Sequence, residues 1–225
     1  MADPRTLERL RDLDIAPGPL VVCDVDEVVL AFLDPLRAFL ASHDMQLVPR
    51  SFRLHGNVLG LNGHQIGTDR VSELIDEFFA TQDRWQSLVP GAREGLATLA
   101  DHAAVILLTA MRHGHFDVRQ RHLAALGLDF PLVTTEGSKG LAIAALRPST
   151  PIIFIDDLPS NHVEVLGAVD RVTAIHFMAD DEFAPLLPEL APEVSRAHSW
   201  DEVVDLALAA VDRHSHGVAA RPERR

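Results

Sequence analysis

The chain has 225 residues, 47% of them apolar, which suffices for one α/β domain with a smaller insertion, or at most two small domains. A formal net charge of −13 argues against a nucleic-acid polymer or an anionic membrane as partner, while leaving room for a phosphorylated small molecule at a locally positive site. The single cysteine, Cys23, excludes an internal disulfide framework and reads as a buried structural thiol, no apolar run reaches the length of a membrane span, and the charged opening MADPRTLERLRDLD lacks the apolar segment of a leader, so a cytoplasmic protein is expected.

Residues 1–17 read as an N-terminal extension with a short helix over 6–13, ended by Pro17-Gly18-Pro19. An apolar strand follows at 20–23, with two carboxylates, Asp24 and Asp26, at its end. Spaced i, i+2, they would share one face if the strand continued. Residues 31–42 are helical, with Phe32, Leu36, Phe39 and Leu40 on one side. The region 45–89 breaks this rhythm. Asn57, Gly60, Asn62, Gly63 and Gly67 punctuate it, and 68–81 is a helix with Thr68 as its N-cap and Val71, Leu74, Ile75, Phe78 and Phe79 as its apolar side. It is too long for a plain strand-to-helix connection and reads as a small, mainly helical cap above the edge that carries the acids.

From Pro90 helix and strand alternate. A helix runs to 101 and a strand over 104–108 ends at Thr109. A helix over 116–126 is closed by Gly127, and a short strand lies within 130–134. A helix over 138–146 precedes a strand at 151–155 that ends in Asp156-Asp157. Then come a helix at 160–168 and a strand at 172–176. Residues 180–197, acidic and rich in proline, read as surface chain. A last helix spans 200–211, and 213–225 reads as a disordered tail. Four or five apolar strands separated by helices predict an α/β fold: a Rossmann-like three-layer α/β/α core with a mostly parallel sheet. Residues 18–44 and 90–212 form this core, and 45–89 the cap.

In a parallel sheet all strand C-terminal ends share one edge, so Asp24, Asp26, Thr109, Asp156 and Asp157 can converge there, with Lys139 at the start of a neighbouring helix. Carboxylates so close repel unless a cation sits among them. Hard oxygen ligands favour Mg²⁺ over zinc, and His113 with His115 lacks a cysteine or acid that would complete a zinc site.

The order Asp-x-Asp after a first strand, Thr after an apolar strand, then Lys, then Asp-Asp after another apolar strand resembles the haloacid dehalogenase (HAD) superfamily, most of whose members are Mg²⁺-dependent phosphatases. The resemblance spans about 20–176. It implies that Asp24 is the nucleophile, forming an aspartyl-phosphate, and that Asp26 protonates the leaving oxygen and then activates water. It implies that Thr109 and Lys139 hold the phosphoryl group. It further implies that Mg²⁺ is bound by Asp24, the Asp26 carbonyl and Asp156, with Asp157 contributing directly or through water. Asn161 is either a metal-shell group or a helix cap, and Ser138 either touches phosphate or caps the Lys139 helix. Arg112 or His113 either faces substrate or belongs to a polar loop.

The first loop departs from the common family pattern. Glu27 stands where glycine is frequent and Val28 where threonine is frequent, the latter as in some relatives resembling deoxynucleotidases. In the cap, Arg53, His55 and Asn57, with Asn62, His64 and Gln65, either contact a sugar, base or other polar leaving group or form a solvated loop. The expected activity is hydrolysis of a small phosphomonoester, a nucleotide or phosphosugar. The alternatives are a mutase or dehalogenase on the same scaffold, a receiver-like protein, and a weakly catalytic phosphometabolite-binding or regulatory protein. A homodimer stays open.

Overall fold

Three runs without an interior polar residue, LVVC, AVILL and IIFI, occupy the middle of a sheet that is covered on both faces. The computed structural model describes residues 3–146 and 150–218. Its elements in chain order are α1 (Pro4–Arg11), β1 (Leu20–Cys23), α2 (Leu33–Ala41), β2 (Met45–Leu47), β3 (Val58–Gly60), α3 (Thr68–Ala80), α4 (Ala92–Ala100) and β4 (Ala104–Ala110). They continue with α5 (Phe116–Ala125), β5 (Leu132–Thr135), α6 (Lys139–Ala145), β6 (Ile152–Asp156), α7 (Pro159–Ala168), β7 (Val172–His176), β8 (Val194–Arg196) and α8 (Trp200–Val218). Six strands form one sheet in the order β5-β4-β1-β6-β7-β8, every neighbouring pair parallel.

The two faces divide the strand residues by alternation. Val21 and Cys23 of β1, Val105 and Leu107 of β4, and Ile153 and Ile155 of β6 pack under α4, α5 and α8. Leu20 and Val22, Ile106 and Leu108, and Ile152 and Phe154 face α1, α6 and α7. The result is the expected Rossmann-like α/β/α layering. Cys23 is buried and free, and burial pushes its thiol well above the ordinary range. No helix among the described residues is long and apolar enough to cross a membrane.

Two close approaches set the helix layers. Gly95 of α4 lies under the Trp200 ring, whose Nε1–H donates to the Val28 carbonyl at 2.9 Å. Gly140 of α6 meets the backbone of α7: a methyl there would stand 2.4 Å from the Glu164 carbonyl oxygen. A third apolar cluster lies apart from the sheet faces and joins Leu36 and Phe39 of α2, Val58 of β3, and Val71, Leu74 and Phe78 of α3. Phe183, beyond β7, packs into it.

Several expectations are corrected. The 45–89 region is mainly helical, as expected, and adds an antiparallel hairpin of β2 and β3. Thr68 is inside α3, and Gly67 occupies the N-cap position without a side-chain bond. Residues 180–197 supply β8, a sixth strand of three residues at the sheet edge. Helix α8 continues past 212 to Val218, so 213–218 are helical, and 219–225 lie outside the described residues. Helix α1 starts at Pro4, capped by Asp3, which accepts from the Thr6 N–H at 2.9 Å. Thr6 Oγ1 donates to the Thr134 carbonyl at 2.9 Å and ties the helix to β5.

Gly140→Ala pushes a methyl against backbone that cannot step aside and should cost about 1–3 kcal/mol in urea unfolding. Gly167→Ala, on the same helix pair but facing open space, should be neutral or stabilise by up to about 1 kcal/mol. Equal effects at both positions would contradict this packing.

Candidate active site

Strand β1 stops at Cys23, but the ladder carries one residue further: the Asp24 N–H donates to the Ile155 carbonyl at 2.8 Å. This sets Asp24 beside the end of β6. Its Oδ1 accepts from the Val25 N–H and from Lys139 Nζ, both at 2.7 Å. Lys139, in the first turn of α6, is 2% exposed, and its ammonium also donates to Asp156 Oδ2 at 2.7 Å. Asp156 Oδ1 is taken in turn by the Leu158 N–H at 2.9 Å and Asn161 Nδ2 at 2.8 Å. Asp157 lines the cavity beside these groups and accepts no side-chain hydrogen bond among the described residues.

Oxygens of Asp24, Asp156 and Asp157 lie within 4.8 Å of one another. Three carboxylates facing one ammonium leave uncompensated negative charge. Burial, opposed by Lys139 and reinforced by Asp156, pushes the Asp24 carboxyl up to about 7. Burial with Asp156 and Asp24 moves Asp157 well above its ordinary range. Burial alone would lower Lys139, yet the two aspartates outweigh it and hold the ammonium charged. A hard divalent cation fits this donor set: all-oxygen, anionic and short of positive charge.

The backbone beyond Asp24 folds into a tight loop. The N–H groups of Val29 and Leu30 both donate to the Val25 carbonyl at 2.8 Å, and the Glu27 N–H returns to the Leu30 carbonyl at 2.8 Å. This geometry puts Glu27 at φ 61°, the left-handed conformation that glycine adopts most easily. Glu27 fills the position because its side chain has other work. Its Oε1 accepts from the N–H groups of Phe32 at 2.8 Å and Leu33 at 2.6 Å, capping α2, which has no side-chain cap of its own. The second oxygen, Oε2, is buried without a partner among the described residues. Burial pushes this carboxyl from 4.5 up to about 7, against the two N–H bonds.

Asp26 leaves the strand line and turns toward α5. Its Oδ1 accepts from Arg119 Nη2 at 2.9 Å and Gln86 Nε2 at 2.8 Å, and its Oδ2 from Thr109 Oγ1 at 3.3 Å. Arg119 is fully buried, and its Nε is hydrogen-bonded to Gln82. Neither Arg119 nor the two glutamines was among the sequence candidates. One signal was available: Arg119 occupies the i+3 slot of the stripe that Phe116 and Leu123 begin and end, where a charge has to be buried.

The sequence candidates separate into two groups. Asp24, Asp26, Thr109, Asp156, Asp157 and Lys139 come together. Asp24, Asp26, Thr109 and Asp157 line a cavity of about 270 Å³, while Lys139 and Asp156 sit behind it. Both Asp156 oxygens are hydrogen-bonded, and Asp157 is the one of the paired acids that lines the cavity. The other six do not reach this cavity. Asn57 is buried and donates to the Ser51 carbonyl at 2.6 Å, holding a turn. His55 is 3.1 Å from Ser72 Oγ, and Arg53 lies over Phe52. Arg112 pairs with Asp76 at 3.1 Å. His113 bridges Thr134 Oγ1 and Asp3 Oδ1, both at 2.7 Å, and so fastens the N-terminus. Ser138 caps α6 and donates to Glu164 at 2.6 Å. Each of these polar groups is satisfied locally. The wall opposite the acids is instead apolar, built from Phe32, Leu54, Ile75, Phe79, Met178 and Phe183.

Two outcomes follow from these bonds. Arg119→Met leaves the Asp26 carboxylate without its cation and should destabilise the fold by about 3 kcal/mol in urea, with Asp26→Asn in the same chain restoring part of the loss. Because the Glu27 carboxyl is raised in the folded state, its contribution to stability is present below pH 4.5 and is lost as pH rises toward 7. In metal-free buffer Glu27→Gln should therefore flatten the pH dependence of stability in that window, by up to about 3 kcal/mol.

No protein-family model matches the chain, and no curated protein does. Solved structures do. A haloacid dehalogenase-like family hydrolase from Xanthomonas campestris is 16% identical and superposes with a TM-score of 0.58, covering 88% of this chain and 98% of its own. A HAD family hydrolase from Deinococcus radiodurans, with bound phosphate and sodium, is 16% identical with a TM-score of 0.56, covering 87% of this chain and 98% of that one. A HAD hydrolase of family IA from Entamoeba histolytica is 14% identical with a TM-score of 0.55, over 86% and 99% of the two chains. The sheet order, the paired acids at the strand ends and these superpositions together establish that the chain has the haloacid dehalogenase-like fold.

Proposed function

We propose that the protein hydrolyses a small phosphomonoester in a Mg²⁺-dependent reaction that passes through an aspartyl-phosphate on Asp24. The observation that carries this reading is the Lys139 ammonium between Asp24 and Asp156, with Asp157 open to the adjoining cavity. The phosphate held by the Deinococcus radiodurans protein of the same fold supports it. Asp24 Oδ1 is held by Lys139 and Val25, which leaves Oδ2 as the oxygen that attacks phosphorus. The bond from phosphorus to the leaving oxygen breaks as the Asp26 carboxyl delivers its proton there. Asp26 then takes a proton from water, whose oxygen attacks the aspartyl-phosphate and frees Asp24 and inorganic phosphate. Thr109 Oγ1 and Lys139 Nζ are donors for the phosphoryl oxygens. Asp24, Asp156 and Asp157, with the Asp26 carbonyl, would hold Mg²⁺, which supplies positive charge to a site short of it.

Glu27, which stands where glycine is frequent in the family the chain resembles, is compatible with turnover. Its carboxylate caps α2, and its Oε2 is out of solvent's reach, so its presence does not count against turnover. We further read the segment from α2 to about 88 as the cap, because α2 packs with α3 and the hairpin.

Purified protein should release inorganic phosphate from members of a phosphomonoester panel with Mg²⁺ and lose this activity in EDTA. Asp24→Asn should lower kcat by at least about 10³-fold while keeping the native circular dichroism. Acid quenching should trap label from a ³²P-substrate on the wild-type chain and none on the variant. Failure of every substrate in the presence of Mg²⁺ would sink the proposal.

A further inference from the structure

We propose that the substrate is the monophosphate of an apolar alcohol, an alkyl or aryl phosphate, and neither a sugar phosphate nor a nucleotide. The inference rests on the phosphatase reading and concerns the other end of the same cavity. That cavity has a polar end, formed by Asp24, Asp26, Thr109, Asp157 and Asn161, where a phosphoryl group belongs. Away from it, the lining side chains come from the start of α2, the loop before β3, α3 and the segment after β7, and all but Glu27 are hydrocarbon or thioether. Glu27 offers the ligand nothing: its Oε1 is bonded to α2, and its Oε2 is closed off from solvent.

The cations near the wall, Arg53 apart, are engaged elsewhere. Arg37 is held by Asp34, Asp180 and Glu182, Arg112 and His115 by Asp76, and Arg119 by Asp26. Arg53 lies over the Phe52 ring at the exposed end, and no lysine, arginine or histidine lines the cavity itself, so a second phosphate or a carboxylate held inside it would have no cationic partner. Each sugar hydroxyl buried there would give up its bonds to water without replacement, which costs about tenfold or more in binding per group. A ring or alkyl chain meets the opposite situation. Phe32 and Phe79 stand stacked with centroids 5.7 Å apart, and Leu54 and Ile75 complete a surface that gains from each methylene removed from water. A cavity of about 150 Å³ holds a benzene ring, so 270 Å³ accommodates a phosphoryl group with one ring or a short chain. Phe52, 38% exposed on the same wall, carries the apolar surface out to solvent.

The test compares kcat/KM, with Mg²⁺, for methyl, n-butyl and n-hexyl phosphate against glucose 6-phosphate and phosphoglycolate. All are esters of primary alcohols, so intrinsic reactivity is similar and the cavity wall makes the difference. The expected rise is roughly fourfold for each methylene taken into the wall, hence at least about 30-fold from methyl to n-hexyl with only half of the five added methylenes buried. Both polar substrates should fall at least about tenfold below n-hexyl phosphate. Leu54→Asn should narrow the n-hexyl to methyl ratio, a comparison internal to one protein and independent of how much of it is folded. Polar substrates at or above the level of n-hexyl phosphate would overturn the inference while leaving the phosphatase reading intact. Should no substrate turn over, the phosphatase reading falls and binding decides the rest. n-Hexylphosphonate binding at least about 30-fold tighter than methylphosphonate to the Mg²⁺-supplied protein would support an apolar ligand. Equal affinities would overturn it.

Discussion

One ammonium group, Lys139 Nζ, stands 2.7 Å from carboxylates on two neighbouring strands with almost no solvent around any of the three. Removing such charges from water costs several kcal/mol per ion, recovered only if the geometry supplies close partners on every side. The fold meets that condition through backbone register. The residue after β1 bonds to the last carbonyls of β6, so Asp24 and Asp156 arrive side by side. Helix α6 begins where its first side chain can reach between them. Gly140, the next residue, lets α6 lie against α7 closely enough for that side chain to span the gap. The Leu158 N–H and Asn161 at the start of α7 close the remaining oxygen of Asp156. A charge arrangement thus depends on a helix contact made by a hydrogen atom in place of a methyl group.

The excess carboxylate at this point and the apolar wall opposite divide the cavity into two chemical halves. The acids come from strand ends of the sheet, and the wall comes mostly from α2, α3 and the chain between them. The loop 24–30 joins the halves. It ends β1, places Asp26 against Arg119, and through Glu27 fixes where α2 begins. Asp26 has three donors around it, Thr109 of β4, Arg119 of α5 and Gln86 at the end of the insertion, so core and insertion together fix its position.

The acids were legible in the sequence because the parallel-sheet rule is strict: polar residues after long apolar runs all emerge on one edge. Strand β8 was not, since VSR is three residues long and half-exposed at an edge, without the apolar run that marks its neighbours. Arg53, His55 and Asn57 looked like ligand contacts because polar residues near glycines suggest an open loop. Asn57 instead satisfies a buried turn, and His55 and Arg53 find partners beside them. The apolar lining of the cavity was hidden for the converse reason. Phe32, Ile75 and Phe79 read as ordinary core stripes of amphipathic helices, and nothing in a 3.6-residue period distinguishes a side chain that meets another helix from one that meets a ligand. Which of Asp156 and Asp157 lines the cavity was equally closed to inspection, because adjacent acids on a strand end differ only in which way each side chain turns.

The cap that Glu27 provides reaches further than the loop it sits in. Helix α2 starts without a serine, threonine or aspartate at its N-cap because Phe32 is there, and Phe32 is needed for the cavity wall. Glutamate at 27 and an aromatic at 32 therefore form a linked pair. Glycine at 27 would relax the backbone but strand the first N–H groups of α2. The nearest repair is a short polar residue at 32, which would take the aromatic ring out of the wall. A change in this backbone motif and a change in the lining of the cavity are therefore coupled through the start of α2.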